Sequence, residues 1–130
     1  MKEEKVTDSK LLDSTILVDY FVYGNYREII EGDDILLASA LSLFELKRKL
    51  LEKKVPSEIV ENKINFVKGR IIVLVVNNII AEKAASLSVE HNLPAIDSII
   101  YATALVHNAK LLTLDNDFRG LPKAVVFEKN

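Results

Sequence analysis

Asp13, Glu45, Asp97 and Asp115 are four carboxylates that one fold could bring together, and Asp117 follows two residues after the last. A hard divalent cation such as magnesium needs only one or two direct carboxylates, because water and substrate phosphate fill the rest of its octahedron. Three or four convergent acids also suit two ions that bind the attacking water and the leaving oxygen of a phosphodiester. Such chemistry requires no cysteine, serine or histidine nucleophile. It does require counter-charge, since ionised carboxylates beside apolar surface are costly unless something positive holds them. No lysine or arginine lies between Asn92 and Asn108, so a metal ion is the first candidate.

Each acid alone also has an ordinary reading. Asp13 could cap the helix that follows it. Ser42 and Glu45 fit the capping box S-x-x-E, and Glu45 could pair with Lys49 one turn on. A helix that starts at Ser39 instead leaves Glu45 on its second turn with no local task. Asp97 could complement a helix dipole, and Asp115 and Asp117 could shape a turn. His91 and His107 lack H-x-x-x-H spacing and read as helix-end residues rather than ligands.

The elements that must position these acids alternate. Short apolar runs predict strands at 10–12, 35–38, 71–75, 111–114 and 124–127. The run at 71–75 is continuous and β-branched, as in a parallel strand covered on both faces. Between the strands, helical periodicity predicts helices over 16–23, 39–54, 58–68, 77–91 and 96–106, with a short helical piece at 26–31 and a turn at Gly69-Arg70. The helix at 96–106 is apolar nearly all round, the pattern of a helix buried against a sheet. Strands alternating with helices imply a mostly parallel sheet with helices on both sides, and ligands collect beyond the carboxyl ends of such strands. Asp13 and Asp115 both fall there.

Composition sets the outer bounds. The chain has 130 residues, enough for one domain, and no cysteine, which excludes disulfides and zinc-thiolate sites. A formal charge of −2 argues against nucleic-acid binding over the whole surface but is compatible with an acidic site flanked by basic patches. No apolar run approaches the roughly 18 residues of a membrane span, so no membrane contact is expected, and the absence of cysteine fits a cytoplasmic location. Residues 1–10 mix lysine and glutamate and read as a flexible N-terminal extension rather than a secretory signal, with one domain over 11–130.

Three blocks then become specific: LLDSTILVDYF at 11–21, SLFEL at 42–46 and DSIIYATALVHNAKLLTLDNDF at 97–118. In order and spacing they resemble the PIN domain family, in particular its VapC-type toxin ribonucleases. The resemblance implies a three-layer α/β/α PIN-like fold with a mostly parallel central sheet of four or five strands. It also implies an endoribonuclease dependent on Mg2+ or Mn2+ that leaves a 5′-phosphate and a 3′-hydroxyl. Asp13, Glu45 and Asp97 match the family's first three acids and Asp115 the fourth, with Asp117 as a possible helper. Asp13 and Asp97 would be the closest metal ligands, and Thr113 matches the polar residue that supports the site. A cognate antitoxin that blocks the acids and a homodimer are further implications.

Arg48, Lys49 and Arg119 are the candidate RNA contacts, with Lys47, Lys53, Lys54 and Lys123 as weaker ones. Tyr20, Phe21, Tyr23 and Tyr26 fit packing better than base stacking. Asp19 receives no role. A receiver domain would need paired acids after its first strand, and a haloacid-dehalogenase-like phosphatase would need D-x-D where the chain has Asp13-Ser14-Thr15. The competing functions are a PIN-like module that binds RNA or protein without cutting, and an RNA-processing PIN nuclease with no antitoxin.

Overall fold

Apolar residues that alternate along the central strands feed two cores, one on each side of a sheet. The computed structural model describes residues 9–128. It contains β1 (Ser9–Leu12), α1 (Ser14–Tyr23), α2 (Arg27–Ile30), β2 (Ile35–Ser39), α3 (Ala40–Glu52), α4 (Ser57–Arg70) and β3 (Ile72–Leu74). These are followed by α5 (Asn78–His91), α6 (Ala95–Val106), β4 (Lys110–Thr113), a 3-10 helix (Asn116–Phe118) and β5 (Ala124–Val126). The five strands are all parallel, in the order β3-β2-β1-β4-β5. Leu12, Leu36, Ala38 and Leu112 face α1, α3 and α4, where they meet Ile16, Leu17, Leu46, Leu50, Val60 and Ile64. Leu11, Leu37 and Leu111 face the other way, onto Ile80, Ala84 and Leu87 of α5 and Ile100, Tyr101 and Ala104 of α6. The period of two along each strand therefore builds the three layers.

The chain winds outward from β1 through β2 to β3, then returns to lay β4 and β5 on the other side of β1. That reversal puts a crevice at the carboxyl ends of β1 and β4, where an open α/β sheet binds its ligands. Asp13 follows β1 directly, and its N–H donates to the Leu112 carbonyl at 3.0 Å. The two inner strands are thus tied together at the crevice.

Local signals explain most boundaries. Gly24 ends α1 at φ 76°, a left-handed conformation that favours glycine, and its N–H donates to the Tyr20 carbonyl at 2.9 Å. The Asn77 side chain caps α5 by accepting the Ile80 N–H at 2.9 Å. The helix α6 buries Ser98 and all of 100–104, as its all-round apolarity predicts. The aromatic residues of α1 and of the turn after it largely pack: Tyr20 stacks on Phe66, Phe21 is buried, and Tyr26 rests on Phe127, while Tyr23 is exposed.

Two expectations need correction. The run at 71–75 is not covered on both faces: β3 is only Ile72–Leu74 and lies at the sheet edge, with Ile72 55% and Val75 71% exposed. A β-branched run reports strand preference, but strand order comes from the crossovers, which such a run does not encode. Gly69-Arg70 is also not a turn, because α4 continues through Arg70. The Arg70 guanidinium donates to the carbonyls of Ile30 at 2.7 Å, Gly32 at 2.9 Å and Asp34 at 3.0 Å. That fork ties the end of α4 to the loop before β2 and holds the last turn in place. The extension expected over 1–10 lies, for residues 1–8, outside the described residues.

Candidate metal centre

Asp13 occupies the N-cap position of α1, yet its side chain makes no capping bond. Its Oδ2 instead accepts the Thr113 hydroxyl at 2.7 Å and the Thr15 hydroxyl at 2.9 Å. Each threonine oxygen in turn accepts a backbone N–H, Thr113 from Asp115 and Thr15 from Leu114, both at 2.9 Å. Two hydroxyls therefore splice the start of α1 to the loop after β4 and fix the carboxylate between them. Asp13 is only 5% exposed. Burial raises its pKa above the ordinary 3.8. Hydrogen bonds from Thr113, Thr15 and the Ser14 backbone act the other way, and the charge of Glu45 adds to the rise.

Asp97 is the third residue of α6. Asp115 begins the 3-10 helix, where its Oδ1 accepts the Asp117 N–H at 2.9 Å, so its turn-shaping role is real. One carboxylate oxygen from each of Asp97, Asp115 and Asp117 lies within 4.8 Å of the other two. Asp97 is pushed up from 3.8 to about 7, first by burial, then by the charges of Asp115, Asp13 and Asp117 and by a hydrogen bond shared with Asp117. A first-turn acid serving only the helix dipole would be held down, not up.

Glu45 sits differently. Ser39 caps α3, its Oγ accepting the Leu41 N–H at 3.1 Å, so the Ser42–Glu45 capping box does not form. Ser42 is buried inside the helix instead. Lys49 pairs with Glu52 at 3.9 Å rather than with Glu45. Glu45 is left facing a cleft of about 540 Å³ between α1 and α3, lined also by Ser14, Thr15, Asp19, Arg48 and Lys49. It is near enough to Asp13 to raise that residue's pKa but stands outside the group of three.

The acids thus form a chain from Glu45 through Asp13 and Asp97 to the pair Asp115 and Asp117. Asp117, expected only as a helper, is a full member of the tight group. Thr15 is the residue sequence reasoning missed: a hydroxyl two positions after an acid reads as a cap, and nothing local shows that it reaches Leu114. Among the described residues, no salt bridge involves any of these five acids. The nearby cations have other partners: Arg48 meets Glu52 at 3.2 Å, and Arg119 meets Asn116 at 2.7 Å and Glu128 at 3.5 Å. An all-oxygen set that crowds negative charge without a basic partner is what a hard divalent cation fits, and it does not distinguish magnesium from manganese. His91, the last residue of α5, packs edge-on against Tyr101, and His107 ends α6.

Comparison with known proteins bears on the family and the fold. The sequence profile described as PIN domain matches residues 10–124. A toxin–antitoxin complex from Klebsiella pneumoniae superposes with a TM-score of 0.75 at 25% identity, over 90% of this chain and 96% of that one. VapBC2 from Rickettsia felis, bound to a DNA fragment from its promoter, superposes at 0.72 with 19% identity over 92% and 97%. VapC20 from Mycobacterium tuberculosis, a toxin that cleaves the sarcin-ricin loop, superposes at 0.66 with 14% identity over 87% and 95%. A search of curated proteins returns no match. Among the described residues, no helix is long and apolar enough to cross a membrane. The profile match runs from β1 to the start of β5 and spans all five acids, and the chain belongs to the PIN domain family.

Proposed function

We propose that this chain is an endoribonuclease that requires magnesium or manganese, and that it is the toxin of a toxin–antitoxin pair. The observation that carries the reading is the approach of Asp97, Asp115 and Asp117 within 4.8 Å beside buried Asp13. Asp13, Asp97 and Asp115 would hold the cation, with Asp117 at the same position. Glu45, across the cleft, would bind a second ion or orient water. A divalent cation held there supplies counter-charge for a phosphodiester and makes water a nucleophile near neutral pH.

The chain's own residues do the positioning. Thr113 and Thr15 aim the Asp13 carboxylate, and the 3-10 helix presents Asp115 and Asp117 on one side. Rigid placement of charge where the phosphate must sit is the main catalytic contribution such a site can make. Arg48 and Lys49, along the cleft, and Arg119 beyond the 3-10 helix would meet RNA phosphates. The antitoxin partner rests on the likeness to the Klebsiella pneumoniae toxin–antitoxin complex, which extends over nearly the whole of both chains. In the family pattern the products carry a 5′-phosphate and a 3′-hydroxyl.

Digestion of total RNA tests the reading. Cleavage is expected with magnesium or manganese, lost with EDTA, and lost in Asp97→Asn while its circular dichroism spectrum stays unchanged. RNase activity that survives Asp97→Asn at the wild-type rate sinks the proposal.

A further inference from the structure

Of the four aromatic residues at 20–26, Tyr20, Phe21 and Tyr26 pack, and Tyr23 does not. Tyr23 is the last residue of α1 and is 61% exposed, yet it lines the same cleft that Glu45 faces. The walls of that cleft are two helix faces. Thr15, Asp19 and Tyr23 recur one turn apart along α1, as Glu45, Arg48 and Glu52 do along α3. Both helices start at the carboxyl edge of the sheet, α1 after β1 and α3 after β2. Thr15 and Glu45 therefore mark the end at the acids, and Tyr23 and Glu52 the far end. Helix rise puts about 12 Å between Thr15 and Tyr23, the length of roughly three to four nucleotides stacked 3.4 Å apart.

We infer that Tyr23 is a stacking platform for one unpaired base of a single-stranded RNA whose scissile phosphate lies at the acids. The identity of the ligand rests on the nuclease reading above; the placement of the ring does not. The two walls separate the two sides of the strand. The cations Arg48 and Lys49 stand on the α3 wall, whereas the residues of α1 that line the cleft include none. Phosphates therefore run along α3, and the bases turn toward α1 and its exposed ring. Asp19, one turn before Tyr23, repels phosphate and is an acceptor for a base amino group. Lys53, the residue after α3, stands over the Tyr23 ring at 5.7 Å from its centroid. It holds one face of the ring and leaves the other for a base, the pairing of cation and aromatic that binds single strands. A duplex has no base free to take that place, so the platform selects loops and other unpaired stretches.

Binding of a labelled single-stranded RNA to the full chain, read by fluorescence anisotropy in an Asp97→Asn background, tests the platform. Tyr23→Leu keeps apolar bulk but removes the ring, and should weaken binding by about tenfold, as loss of one base–aromatic stack does. Tyr23→Phe should bind like the parent and Tyr23→Trp at least as tightly. The salt slope should be the same in all of them, because a stacked base releases no counterions, whereas Lys49→Ala should lower it. On a blunt RNA duplex, Tyr23→Leu and the parent should bind alike. A parent that binds no single strand, an unchanged affinity in Tyr23→Leu, a loss that Tyr23→Phe shares, or the same loss on the duplex overturns the assignment. An antitoxin that needs Tyr23 when RNA does not is one route to that second result. Cleavage by the wild type is scored separately: if it is absent while Tyr23→Leu still weakens binding, the platform stands and the nuclease reading falls.

Discussion

Thr113 donates its hydroxyl proton to Asp13 Oδ2 at 2.7 Å, closing a contact between residues 100 positions apart, and the same oxygen accepts the Asp115 N–H. One buried side chain thus connects two of the candidate metal ligands. Its exchange for the near-isosteric valine leaves a buried carboxylate short of a donor and an N–H without an acceptor. Thr113→Val is expected to cost about 1–3 kcal/mol of stability, the range for stranding buried polar groups. It should also lower RNase activity, while Thr113→Ser keeps both bonds and most of both properties. Urea denaturation read by circular dichroism decides this, and an unchanged midpoint for the valine variant contradicts it.

Crowding at Asp97 makes the metal-free protein sensitive to pH in a definite direction. Its pKa rises from 3.8 to about 7 on folding, so the folded state holds the proton more tightly than the unfolded chain. The resulting stabilisation is full below the unfolded value and is lost as pH rises through about 7. Asp97 is partly exposed, and solvent screening trims the size of the effect. With EDTA present, melting temperature is expected to fall between weakly acidic and weakly basic pH, and Asp97→Asn should flatten that fall. Magnesium competes with the proton, so it should raise the melting temperature more near pH 8 than near pH 5.5. An equal magnesium effect at both pH values argues against ligation by this carboxylate.

How much of this was readable beforehand depends on the range of each interaction. The alternation of strands and helices, the buried character of α6 and the capping by Ser39 and Asn77 are local, and residue types within a few positions signal them. The edge position of β3 is not local. The apolar run at 71–75 that contains it would look the same at the sheet centre, and only the order of the crossovers puts it outside. Thr15 is a similar case, because its partners Asp13 and Leu114 belong to different ends of the chain. For Asp117 the missing information was geometric: a 3-10 helix brings it back toward Asp97, which the D-x-D spacing alone does not require.

Glu52 holds back the two cations that RNA would meet first. It lines the cleft with Glu45 and pairs with Arg48 at 3.2 Å and Lys49 at 3.9 Å. Exposed pairs of this kind contribute little to stability, so Glu52→Gln should leave the melting temperature nearly unchanged. The released guanidinium and ammonium groups can then meet phosphates. Binding of a labelled single-stranded RNA, measured by fluorescence anisotropy in an Asp97→Asn background to prevent cleavage, is expected to tighten severalfold. Its salt dependence should steepen by roughly 0.7 for each phosphate gained, as counterion release from single strands requires. If Glu52→Gln changes neither affinity nor salt slope, RNA does not run along the α1–α3 cleft, and Arg119 on the far side of the acids becomes the contact to test.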